Sequence, residues 1–436
     1  MPQTIKSEVT IIGGGWAGLS AAVQLSQQGK QVTLYESAKQ LGGRARCVAF
    51  EKHRVDNGQH LLVGAYHQTL QIMQTCGVDV AEAFFRTGMT LSLQTSRRRQ
   101  YRINAAPLPA PLSLAVGLLT ARGYSLTERF RSILFLLSLQ KSSFILDEDT
   151  SVEELFKSQP RNVWRTLWEP LCLAALNTPA NIASAQIFLN VLKDSFTHKA
   201  SDADLLIPRT DLSGLFVAPA MRFIEKNHGH IHLGQRVTDL KISNGRIQGI
   251  YCGEQLVSTS QVILATPITA TNRIIENQLA LKDMHTQLSQ FSHQPICTIY
   301  LQYDESIQLN TPMLGLSGLT AQWLFDRRHS GQKGLIAAVI SAEGAHMNLD
   351  GPTLAQLVND ELMELFDWPE ANEMKVLRDK RATFTASVNI NKLRPQHKTS
   401  VEGLWLAGDY VQSPYPATLE AAVQSGVQCA ESLLGQ

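Results

Sequence analysis

The 436-residue chain is long enough for two domains, and its 44% hydrophobic and 18% charged residues are those of an ordinary globular protein. A net charge of +1 leaves no basic footprint for nucleic acid, and no uncharged apolar run reaches the roughly 18 residues of a transmembrane helix. Met1–Ser7 is too polar and short for a signal peptide, and the six cysteines, scattered without C-x-x-C or metal-ligand spacing, read as free thiols of a reducing, cytoplasmic compartment with no metal site.

Val9–Ile12 is a short apolar run that leads into Gly13-Gly14-Gly15-Trp16-Ala17-Gly18, a G-x-G-x-x-G. An amphipathic stretch, Leu19 to Gln28, stops at Gly29, and a second run, Val32–Tyr35, ends on Glu36. This is a complete βαβ dinucleotide unit. Gly13 makes the tight turn, Gly15 lets backbone approach a pyrophosphate, and Gly18 lets helix pack on strand. Trp16 and Ala17, within the motif, are candidate cofactor contacts, the N-terminus of the helix that follows faces the phosphates, and Glu36 is placed for the adenosine ribose hydroxyls. NAD and FAD share this unit. Leu41-Gly42-Gly43-Arg44-Ala45-Arg46, just beyond, looks like the G-G-R extension of two-domain flavoproteins, in which Gly42, Gly43 and Arg44 approach the FAD diphosphate and the flavin edge.

From Leu70 to about Arg209 the pattern is mostly helical, with capping boxes at Ser125–Glu128 and Ser151–Glu154. Leu112–Leu119, preceded by Pro107, Pro109 and Pro111, and Leu126–Gln140 are apolar around most of their circumference. Such helices either wall a buried core or tunnel or lie on a membrane, where Arg122, Arg129, Arg131, Lys141 and Arg97-Arg98-Arg99 could meet anionic headgroups. Ile231–Ala265 reads as β-structure, with a hairpin at Ser243-Asn244-Gly245 and a turn at Gly253-Glu254. Val237 there either holds adenine by its backbone or is plain strand core. Alternating runs between Ile296 and Ile340 suggest an antiparallel sheet, and Thr353–Phe366 a helix started by Pro352. Leu404–Asp409 is a strand running into a Gly408-Asp409 turn. A helix over Pro416–Ala430 follows, placing Ala417, Thr418 and Leu419 at its start. The expectation is a two-domain α/β flavoprotein: a discontinuous Rossmann-like FAD domain (1–69, 210–275 and 395–436) and an α+β substrate domain with a helical insert (70–209 and 276–394).

Four stretches carry a closer resemblance. They are Asp56–Tyr66, Leu167–Pro179, Met313–Gly318, and Gly408-Asp409-Tyr410 with Tyr415–Glu420. On these the chain resembles the hydroxysqualene dehydroxylases, or squalene-associated FAD-dependent desaturases, of the phytoene desaturase and amine oxidase superfamily; Ala421 stands where glycine is common. The resemblance implies that Asp409 binds the ribityl or phosphate region of a non-covalent FAD and that the following helix points at the flavin. It implies reductive dehydroxylation of a long-chain isoprenoid, hydroxysqualene, to squalene for hopanoid synthesis, by a cytoplasmic enzyme peripheral on the inner membrane. No second dinucleotide unit is visible, so the electron donor is an unidentified partner protein or diffusible nucleotide.

Losing water from an allylic alcohol needs a proton donor, a dry apolar tunnel and a hydride source. His60, Glu169 and Asp56 are the candidate acids. His60 titrates near neutrality, and Glu169, between Trp168 and Pro170, would stay protonated if buried. Each also has a structural reading: hydrogen bonding for His60, capping or ion pairing for Glu169, flavin support for Asp56. Tyr66, Asn177 and Tyr410 are candidate pocket hydrogen-bonders. A carotenoid-type polyene desaturase, an amine oxidase and a non-catalytic flavin-binding lipid carrier remain alternatives, because flavin motifs are blind to the direction of hydride transfer.

Overall fold

The computed structural model describes residues 9–97, 99–104, 112–196 and 199–435. A five-stranded parallel sheet runs in the order His230–Leu233, Val32–Glu36, Val9–Ile12, Val262–Leu264, Leu404–Leu406. Ile11 lies beside Leu34 on one side and Ile263 on the other. Its central strands are buried on both faces, which is why they read as continuous apolar runs rather than alternating ones. Helix Trp16–Gln27 crosses one face and packs on the C-terminal helix Leu419–Leu434, where a Cβ on Gly426 would sit 2.1 Å from Ala17 O. A three-stranded meander, Val237–Ser243, Arg246–Cys252 and Gln255–Ser258, hangs beside this sheet. Its first turn holds Asn244 and Gly245 at φ of 52° and 71°, the left-handed pair a tight hairpin requires.

The second sheet has seven strands, in the order Glu373–Phe384, His293–Gln302, Leu335–Ser341, Trp323–Asp326, Met313–Leu316, Thr90–Ser96, Arg99–Asn104. Alternation along Leu335–Ser341 sorts its two faces. Ile336, Ala338 and Ile340 pack under helix Gly351–Phe366, while Ala337 meets Phe50 and Val55, and Val339 turns toward the interior cavity. Helix Gly351–Phe366 starts two residues earlier than expected, on the Asp350 cap.

Three further expectations need correction. The 70–209 segment is not mostly helical at its ends: it supplies strands Phe84–Thr87, Thr90–Ser96, Arg99–Asn104 and Leu205–Pro208. Strand Arg99–Asn104 buries Tyr101 and Ile103 between exposed arginines, a period of two that its charge disguises. The C-terminal helix begins at Leu419, because Thr418 is its N-cap and leaves Pro416–Thr418 outside the helix. The hairpin of Leu112–Leu119 and Leu126–Lys141 contributes none of its described residues to the wall of the large cavity. The tunnel reading fails but the core-wall reading holds: Leu118 and Leu139 are buried in a core against which Ile133, Phe135 and Leu136 pack, while the capped Leu126–Lys141 helix leaves Leu126, Phe130, Leu134 and Leu137 exposed. Arg98, Pro107, Pro109 and Pro111 lie outside the described residues. Among the described residues no helix is long and apolar enough to cross a membrane.

Candidate active site

A cavity of about 960 Å³ runs from the loops of the parallel sheet to the inner face of the seven-stranded sheet. Gly13, Gly15, Trp16, Ala17, Glu36, Gly42, Gly43, Arg44, Val237, Gly408, Asp409, Ala417, Thr418 and Leu419 all reach its wall. Gly18 does not: a Cβ there would lie 2.0 Å from Gly13 O, so this glycine closes helix on strand. Gly15 differs, since a Cβ would meet nothing within 4 Å. That open backbone at a helix N-terminus is what a diphosphate needs. Glu36 accepts from Gly14 N and Ala38 N, both at 2.7 Å. Two backbone donors therefore orient a carboxylate that keeps free lone pairs for ribose hydroxyls.

Arg44 donates from Nη2 to both carboxylate oxygens of Asp409 at 2.8 Å and from Nη1 to Ala382 O at 2.7 Å. Burial works against the guanidinium charge, but Asp409 more than offsets it and Arg44 is held above its usual value. Arg394, which sequence reasoning did not single out, is 4% exposed and pins the loop after Asp409. It donates to the carbonyls of Asp409, Val411, Ser413 and Tyr415. Burial lowers its pKa to about 10, opposed by Asp409. No local motif marks this arginine, which lies ahead of the strand it serves.

His60 lines the cavity, with Nδ1 2.8 Å from Gly58 O. A carbonyl only accepts, so Nδ1 carries the hydrogen and the neutral ring offers Nε2 as an acceptor. Burial lowers the His60 pKa, and Arg44 and Arg327 add to this against Asp56 and the Gly58 carbonyl. Asp56 stands behind the wall, 1% exposed. It accepts from Leu212 N at 2.7 Å and faces Arg327 Nη1 at 3.6 Å. Burial pushes its carboxyl up against the pull of Arg327. Arg327 also donates to Gln59, so this buried pair holds the loop that carries His60.

Glu169 is a correction. Partial burial raises its carboxyl, but the residue is exposed and off the cavity, because Trp168 and Cys172 take the inward face of its helix. Asn177 reaches the wall, yet its amide is spent on Pro295 O, Thr383 Oγ1 and Ala342 N. Tyr410 is buried off the wall on Thr271. Tyr66 lines the cavity and bonds the Thr418 side chain. Tyr415 and Asp194, hydrogen-bonded to each other, share the wall. Asp194 sits in a helix with no motif around it, and nothing in the sequence flags it. Beyond these groups the wall turns apolar, with Leu91, Leu171, Phe188, Met313, Trp323 and Val339.

The family model described as flavin containing amine oxidoreductase matches residues 16–434. A hydroxysqualene dehydroxylase of Zymomonas mobilis is 26% identical, with 97% of this chain and 98% of that one aligned. Another from Sinorhizobium fredii is 26% identical over 98% of each chain. A zeta-carotene desaturase of Zea mays is 23% identical, over 99% of this chain and 84% of that one. Among solved structures, an oxidoreductase from Methanosarcina mazei superposes with a TM-score of 0.78 at 16% identity, covering 98% of this chain and all of its own. Putrescine oxidase bound to putrescine superposes with a TM-score of 0.70 at 15% identity, over 99% of this chain and all of its own. The family match spans both sheets and both ends of the cavity: the chain belongs to the flavin containing amine oxidoreductases, and it is an FAD-dependent oxidoreductase.

Proposed function

We propose that the protein reduces hydroxysqualene to squalene with loss of water, in a pathway that supplies squalene for hopanoids. The observation that carries this reading is one cavity joining a dinucleotide cradle to a long apolar wall. The full-length likeness to hydroxysqualene dehydroxylases supports it. FAD, when bound and reduced, supplies a hydride. The chain's own residues do the rest. The open backbone at Gly15, the Glu36 carboxylate, the Arg44–Asp409 pair and the start of helix Leu419–Leu434 hold the cofactor. The apolar wall keeps water from capturing an allylic cation. The flavin unit in this reading comprises 1–69, 210–275 and 395–436, and the substrate unit 70–209 and 276–394; the electron donor comes from outside the chain.

The protein in this reading rests on the membrane that supplies its substrate. Leu119, Leu126, Phe130, Leu134, Leu137 and Ile145 are six of the eleven large apolar side chains exposed among the described residues. Exposed Arg122, Arg131 and Lys141 flank them. The zeta-carotene desaturase relatives keep polyene desaturation as the second reading, which would use the same cavity in the oxidative sense. An anaerobic single turnover separates the two. Reduced protein mixed with hydroxysqualene should reoxidise its flavin and yield one squalene per flavin. Flavin that stays reduced beside intact alcohol, with oxidised protein desaturating a polyene, would establish the second reading instead.

A further inference from the structure

The dehydroxylation reading needs an acid at the substrate hydroxyl, and the cavity wall narrows the choice. His60 gives its one ring hydrogen to Gly58 O. Glu420 has both carboxylate oxygens engaged, accepting from Gln68 N, Thr69 N, Thr69 Oγ1 and Gln424 Nε2. Asp56 and Glu169 are off the wall. Asp379, Tyr35 and Tyr66 line the wall too, but Asp194 and Tyr415 are the carboxyl and phenol there that hydrogen-bond to each other. On helix Ala185–Phe196 the cavity-lining residues pass from apolar Phe188, Val191 and Leu192 to polar Asp194 and Ser195, so Asp194 stands where the apolar wall stops. Tyr415 lies two residues before Ala417, at the cofactor end. Its hydroxyl donates to Asp194. The loop carrying Tyr415 is tied down, because Asn190 Nδ2, on the Asp194 helix, donates to Pro414 O at 2.9 Å and Arg394 Nη1 donates to Tyr415 O at 2.6 Å.

We infer that Tyr415 is the catalytic acid that protonates the departing hydroxyl, with Asp194 behind it as the source of the proton; this rests on the dehydroxylation reading. As observed, the tyrosine donates to a carboxylate. When Asp194 takes a proton from solvent the hydrogen bond reverses, and the Tyr415 O–H is free to turn into the cavity. The substrate oxygen then takes the Tyr415 proton while Tyr415 takes the Asp194 proton. The C–O bond breaks with its electron pair leaving on water, and the allylic cation is reduced by the two-electron cofactor. Asp194 ends ionised, as it began. Burial, then the Asp194 carboxylate itself, pushes the Tyr415 hydroxyl up, so a free tyrosinate is a poor product and the second transfer has to accompany the first.

The test uses FAD-loaded full-length protein carrying Tyr415→Phe or Asp194→Asn. Tyr415→Phe should keep its flavin and bind squalene like the parent, read by tryptophan fluorescence with Trp323 on the wall. It should lose about fivefold in preference for the alcohol and at least ~100-fold in single-turnover rate. Parent turnover should fall as pH rises and the acid deprotonates; Asp194→Asn should be slower and lack that fall. Tyr415→Phe turning over at the parental rate, or Asp194→Asn keeping the parental pH profile, overturns the inference and leaves the dehydroxylation reading intact. If Tyr415→Phe sheds its flavin, the Asp194→Asn profile decides alone. Parent protein that makes no squalene overturns both.

Discussion

Two glycines three residues apart do different work, and one methyl group separates them. A Cβ on Gly18 would strike Gly13 O, whereas one on Gly15 would project into open cavity. Gly18→Ala should therefore destabilise the apoprotein by about 1–3 kcal/mol, as overpacking does. Gly15→Ala should leave the apoprotein melting temperature unchanged and weaken FAD retention; calorimetry and the ratio of flavin to protein absorbance read the two effects separately. His60 makes a second residue-scale prediction. Its pKa is lowered in the fold, so as pH falls the unfolded chain binds the proton first. Stability that is present above about pH 6.5 should be lost as pH drops toward the lowered folded value. Thermal melts of parent and His60→Gln across that range should show the parent losing ground only on the acid side.

At the scale of elements, helices are tied by single side chains. Glu420, in the first turn of Leu419–Leu434, accepts from Gln68 N, Thr69 N and Thr69 Oγ1 and so caps helix His67–Thr75 from outside. Glu420→Ala would strand those donors and should cost about 1–3 kcal/mol, read by urea unfolding. The exposed stripe behaves oppositely. Phe130→Ser with Leu134→Ser should change stability by no more than ~0.5 kcal/mol each while lowering flotation with anionic lipid vesicles; flotation equal to the parent would remove the stripe as the docking face. The parallel sheet and its hairpin are legible in the chain because buried parallel strands leave apolar runs and Asn-Gly leaves a turn. Strand Arg99–Asn104 is not, since its two inward residues are outnumbered by four polar or charged ones. Glu169 misleads for a related reason: apolar neighbours in sequence lie around a helix, not beside one another, and Trp168, Leu171 and Cys172 face inward while Glu169 does not. The Tyr415–Asp194 and Arg44–Asp409 pairs join residues 221 and 365 positions apart, beyond the reach of any local pattern.

Over the whole molecule, the two sheets meet across one cavity, so its occupant is also a structural tie. FAD at a hundred times its dissociation constant should add about 2.7 kcal/mol of stability. Stripping the flavin should lower the melting temperature and re-adding it should restore the loss; an unchanged melt would mean that the cradle does not bind the cofactor in the native state. The cradle itself is assembled from Gly13 near one end and Asp409 near the other, with strand Val9–Ile12 waiting for Val262–Leu264 to cover its open edge. Ribosomes add about 5–20 residues per second, so the first half of the site precedes the second by roughly 20–80 s. For the first part of that interval, until Val262–Leu264 emerges, the chain exposes an apolar strand edge, and through all of it no complete cradle can hold flavin. Growth under riboflavin limitation should therefore reduce the soluble yield of this protein before it reduces the specific activity of what remains soluble.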